Sequence, residues 1–194
     1  FHVSLDYLLD EEDTKKPENS PDEKGIYVSR ETANGFLAYQ KSKMIKVGAA
    51  IGLFVGGVSL SFLDAEISMT LFMVVVILGI ILLFSVKLAD NPYRKLWKEP
   101  LLFDKAVKAE LNTAYAEKKK ILQLFNLIGI ALVALGFLLF PLIASAELFF
   151  TDTISLAAGM IVAGVGTFLC IYMSGVIRAY RLLVMNEAYQ QKGK

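Results

Sequence analysis

"VGAAIGLFVGGVSLSFLDAEISMTLFMVVVILGIILLFSV", residues 47–86, decides the fold. Two apolar runs, Val47–Leu63 and Ile67–Val86, are parted only by Asp64, Ala65 and Glu66. A helix crosses the hydrocarbon core of a bilayer with about 20 apolar residues. The second run has that length; the first is slightly short, but Met44 and Ile45 extend it and Lys46 can snorkel to the headgroups. Backbone polar groups in lipid must be satisfied within helices or closed barrels, so the stretch predicts a hairpin of transmembrane helices.

The pattern returns later in the chain. Ile121–Ala144 and Ile154–Ile177 are equally apolar and are joined by "SAELFFTD". The expected fold is therefore an all-α membrane protein with four transmembrane helices in two hairpins, spanning about 44–63, 67–86, 121–144 and 154–177. A polar stretch precedes the earliest run, so none of the four reads as a cleavable signal peptide. Hydrophobic residues make up 55% of the chain, too many for an ordinary soluble domain, and its charges must be segregated from the spans.

That segregation sets an expected orientation. The two short turns carry Asp64, Glu66, Glu147 and Asp152 with no Lys or Arg, so all 20 basic residues fall at the opposite end. The positive-inside rule then places both termini and the central loop in the cytoplasm, with the acidic loops outside. Two turns this short leave no extracellular domain. The four acids could bind a cation, but simple topology explains them.

The cytoplasmic segments show further organisation. "SRETANGFLAYQKSKM" offers Ser29 as an N-cap, Glu31 in the first turn, and Ala33, Phe36, Leu37 and Met44 at helical spacing. This predicts an amphipathic helix at the inner surface leading into the first span, with Lys41, Lys43 and Lys46 beside anionic lipid headgroups. In "KLADNPYRKLWKEP", Pro92 ends the second span, and Tyr93 and Trp97 among basic residues have the composition of an interfacial belt. A second amphipathic helix, with Phe103, Val107, Leu111 and Ala114 on one stripe, leads into the third span; Tyr180, Leu183, Val184 and Glu187 repeat the pattern after the fourth.

The two halves share an element order: amphipathic helix, span, acidic turn, span. Placing Lys43 on Lys120 aligns Lys41 with Lys118, Ile51 with Ile128 and Gly52 with Gly129, the pattern of a parallel duplication. Small residues mark the expected helix contacts. Gly48, Gly52 and Gly56 form a GxxxGxxxG row on the first span, and Ser155, Gly159, Ala163 and Thr167 form a row on the fourth, with Gly166, Cys170 and Ser174 beside it. These rows suit packing within one bundle or, as the alternative, the interface of a homodimer. The second span, with one glycine, is expected to face lipid.

No charged residue lies near the middle of a span, which disfavours ion-coupled transport. Gln123 and Asn126 are the strongly polar pair of the third span. His2 is the single histidine, and no phosphate-binding loop, nucleophile elbow or metal-ligand cluster occurs, so neither an enzyme nor a cofactor site is expected. Cys170, the one cysteine, has no internal disulfide partner and reads as a small packing residue.

Residues 10–28 are rich in acids and proline and read as a solvated linker, about 25 Å r.m.s. as a flexible coil. Before it, "FHVSLDYLLDEE" holds a short helix: Ser4 caps it, Val3 and Leu8 staple it, and Leu5, Leu8 and Leu9 form an apolar face. Residues 1–9 are too few to form a helix alone in water, so that face needs a partner upstream of Phe1.

This stretch resembles the last helix of the lambda-repressor-like helix-turn-helix domain in the xenobiotic-response-element family of bacterial regulators, where a phrase F-x-V-S-L-D-x-L-L closes the DNA-binding bundle. "GIYVSRETANGFLAYQKSK" resembles the juxtamembrane segment of members of that family, mostly Gram-positive, that carry a multispan membrane domain. The resemblance implies a membrane-anchored one-component transcription regulator: residues 1–9 close a helix-turn-helix domain, 10–28 link, and 29–194 form the membrane domain. DNA would be bound only through the upstream domain, whose recognition helix precedes this chain. A membrane signal, lipid change or partner transporter would act through dimerisation, local concentration or sequestration. The alternative is an accessory subunit of an ABC-type transporter or membrane sensor; a small channel or exporter is a third reading.

Overall fold

A computed structural model describes residues 25–62, 67–145 and 152–185. Strand β1 (Ile26–Tyr27) is followed by helix α1 (Arg30–Gly57), whose end tightens into a 3-10 turn, Val58–Phe62. Helix α2 (Ser68–Leu88) leads to a short 3-10 turn, Arg94–Trp97, and to strand β2 (Leu101–Leu102). Helices α3 (Lys105–Ser145) and α4 (Asp152–Val184) complete the chain as described. The four helices are each long and apolar enough to cross a membrane.

Helix length separates membrane-sized from protruding parts. At 1.5 Å per residue, α2 with 21 residues is about 32 Å long, close to the hydrocarbon thickness of about 30 Å. Helix α3 with 41 residues is about 62 Å, twice that thickness. The excess lies at the N-terminal end of α1 and α3 and at the C-terminal end of α4, where the amphipathic stripes are. Each of these segments runs unbroken into its apolar stretch, the helix extension that the sequence favours, because the same 3.6-residue period serves both stretches and no proline or glycine pair intervenes.

At that end the stripes close on one another. Val28, Ala33, Phe36, Leu37, Leu96, Leu101, Leu111, Tyr115, Val176, Tyr180 and Leu183 form one buried cluster drawn from α1, the central loop, α3 and α4. Ser29 caps α1, accepting from Thr32 N at 3.2 Å. Phe36 is fully buried, with the rings of Tyr93 and Trp97 edge-on at 5.8 and 6.1 Å between centroids. Tyr115 stacks on Tyr180 at 5.7 Å, joining α3 to α4.

One boundary of the expected linker moves. Its last residues, Ile26 to Val28, pair in parallel with the central loop: Ile26 N donates to Pro100 O at 2.8 Å and Val28 N to Leu102 O at 2.9 Å. Val28 is fully buried, so the pairing is held by burial as well as by hydrogen bonds. Tyr27 donates to Asp104 at 2.5 Å, and this bond holds its phenol above the ordinary value of 10.0. That contribution is intact at neutral pH and is lost as pH rises through the raised value. Arg30 pairs with Glu110 at 2.5 Å, but both are more than half exposed, so the pair contributes less than about 1 kcal/mol. Residues 1–9 and most of the linker lie outside the described residues.

Among the helices, α4 is central, packed along both α1 and α3, while α2 lies against α1 and its 3-10 turn. Phe54 fills the space over Gly79, and Val75 the space over Gly57. The rest of α2 is exposed, with Met73, Ile77, Ile81 and Phe84 all more than half uncovered. The two hairpins thus share element order but not position, since α2 is peripheral where α4 is central.

Candidate functional site

The small-residue rows meet within the chain. Gly48 and Gly52 of α1 pack on Phe168, and the backbone of Gly52 comes up to that of Gly164; Gly56 follows, more loosely. On the other side of α4, Gly159 and Ala163 pack on Gly136, and Gly166 and Cys170 on Gly129. Thr167 donates to the carbonyl of Ala163 at 2.8 Å, within its own helix. Lower on the same face, Ser174 Oγ donates to Asn126 Oδ1 at 3.1 Å, an interhelical bond between the third and fourth spans. Helix α4 therefore carries two small faces. The sequence row found one of them; Gly164, which meets Gly52 and Gly56, was missed. Asp64, Glu66 and Glu147 lie outside the described residues; Asp152 begins α4, and its side chain also falls outside them.

Where the helices leave this close packing, a cavity of about 610 Å³ opens between α1, α4 and the central loop. Helix α1 contributes Gln40, Lys43 and Met44, at the i, i+3, i+4 spacing of one face. Helix α4 contributes Cys170, Ile171, Ser174, Gly175 and Arg178, also one face. The loop contributes Asn91, Arg94, Trp97 and Lys98. It is held by the Asn91 side chain, which accepts from Tyr93 N at 3.1 Å, and by Tyr93 and Trp97 against Phe36. A Cβ on Gly175 would overlap Met44, so glycine there lets α1 and α4 meet at the cavity floor.

The electrostatics are one-sided. Lys43, Arg94, Lys98 and Arg178 line the cavity and no acidic side chain does. Arg94 and Arg178 are exposed and make no ion pair among the described residues. Gln40 is 3% exposed, and its side chain makes no hydrogen bond to the described residues. A buried amide left unpaired costs about 1–3 kcal/mol, which marks it as a group awaiting a partner. The arrangement can hold an anion that has an apolar body, the cations at the mouth and Met44, Cys170 and Ile171 below.

Sequence reading placed Trp97, Tyr93 and Lys43 at an interface but did not bring them together. Gln40 had a legible signal: it is the polar interruption of the stripe Ala33, Phe36, Leu37, Met44. Arg178 had none, because its place depends on the packing of α4 on α1. Comparison with protein-family models, with curated proteins and with solved structures gives no match for this chain.

Proposed function

We propose that this chain is the sensing and anchoring part of a membrane-anchored one-component transcription regulator, with its basic end in the cytoplasm and DNA bound by a helix-turn-helix domain that residues 1–9 would close. The observation that carries the reading is the clamp at residues 26–28. Through β1, whatever precedes Gly25 is tied to the same buried cluster that gathers α1, α3, α4 and the central loop. A change in helix packing within the bilayer then alters the point from which the upstream segment is tethered. With the flexible linker that the sequence leads one to expect, control acts through release, pairing or local concentration and not through rigid rotation.

Pairing of two copies belongs to the proposal, but Gly48 and Gly52 are already occupied by Phe168 and Gly164 of the same chain. The second reading is an accessory subunit seated against a transporter or sensor, which the peripheral α2 leaves room for without requiring it. One experiment separates the two. The protein, tagged at its chromosomal locus, is crosslinked and recovered from the native membrane. Enrichment of discrete promoter segments is expected; a stable transporter partner with no enriched DNA would replace the first reading by the second.

A further inference from the structure

We infer that the cavity between α1, α4 and the central loop is a binding site for an anionic phospholipid, taken by its phosphate headgroup. Its four cations come from three separate segments, Lys43 on α1, Arg94 and Lys98 on the loop, and Arg178 on α4, with no carboxylate among the lining residues. An anion entering among these cations is attracted by all four, most strongly where the cavity shields it from water. Guanidinium groups match phosphate oxygens with paired donors, and the cavity presents two. Gln40, buried and without a hydrogen-bond partner among the described residues, adds an amide donor on the turn of α1 before Lys43.

The shape selects a lipid over a free anion. From Arg178 to Cys170 the lining descends along α4 by about 12 Å, in the direction of the membrane-spanning part. Met44, Cys170 and Ile171 form the lower wall, which offers nothing to inorganic phosphate but suits the glycerol backbone and the first methylenes of an acyl chain. The bound lipid bridges the three segments that build the cavity and so joins the transmembrane packing to the juxtamembrane cluster.

Trp97, the chain's single tryptophan, lines the cavity and reports its occupancy. The chain is reconstituted into phosphatidylcholine vesicles containing brominated phosphatidylglycerol or, at equal mole fraction, brominated phosphatidylcholine, and quenching of Trp97 is recorded. Preferential quenching by phosphatidylglycerol is expected, with the preference reduced tenfold or more by R94Q combined with R178Q, since each cation near an anionic surface contributes about fivefold in affinity. Gln40→Leu, which removes an unpaired buried amide without disturbing an ion pair, lowers the preference while leaving helicity unchanged. The control pair K119Q and K120Q, on the exposed face of α3 outside the cavity, leaves it unchanged. Equal quenching by the two lipids, a preference that survives R94Q with R178Q, an equal loss in the control pair, or displacement of the lipid by inorganic phosphate each overturns the assignment.

Discussion

Gly164→Leu separates α1 from α4 and destabilises the bundle by about 3 kcal/mol or more, the upper end of the cost of overpacking. A Cβ at Gly164 would lie 2.7 Å from Cα and N of Gly56 and 2.8 Å from O of Gly52. All three are backbone atoms of a continuous helix, so no rotamer change relieves the overlap and the helices must move apart. Gly164→Ala already forces this movement. Gly56 behaves differently, since its own Cβ would find Gly164 Cα at 3.7 Å and Met160 O at 3.9 Å, ordinary contact. Gly56→Ala is therefore absorbed with little change. Thermal unfolding in detergent, followed by circular dichroism, measures both variants. Equal stability of Gly164→Leu and the parent chain would mean that α1 and α4 do not cross at this point.

Phe36→Ala removes the centre of the juxtamembrane cluster and costs about 3–5 kcal/mol, the range for a large buried aromatic side chain. Phe36 is fully buried and holds Tyr93 and Trp97 edge-on, so its loss also frees the loop that carries Arg94 and Lys98. The effect has a local optical signature. Trp97 emission shifts to the red as its ring loses its apolar neighbour, whereas Gly164→Ala, acting farther along the helices, moves it less. Chemical denaturation read through Trp97 gives the stability change; an unaltered midpoint together with unaltered emission would contradict the assigned core.

The four long apolar helices were legible because a run such as Ile67–Val86, with no charge and nearly all apolar, has the length and composition of a helix that can cross a bilayer. The peripheral place of α2 followed from its single glycine, since close helix approach in lipid needs small residues. Ser29, Ala33, Phe36 and Leu37 were legible because caps and stripes are local. Val28 was not, because a two-residue parallel pairing has no periodicity and exists only where Leu101 and Leu102 come to meet it. Gly164 was not, because a glycine-rich helix contains several possible rows, and the choice between them belongs to its neighbours. The cavity was invisible as a whole, since its cations are scattered along the chain and only the crossing of α1 over α4 gathers them.

The central claim is that the chain crosses a bilayer four times with its basic, juxtamembrane end inside. With Cys170→Ser as background, single cysteines placed by Thr113→Cys and Glu147→Cys can be probed in intact cells with a membrane-impermeant maleimide. Thr113 is exposed near the N-terminal end of α3, and Glu147 lies in the sequence between α3 and α4. The account predicts labelling of Glu147→Cys in intact cells and of Thr113→Cys only after permeabilisation. Labelling of Thr113→Cys in intact cells, or of neither before permeabilisation and both after it, would contradict it.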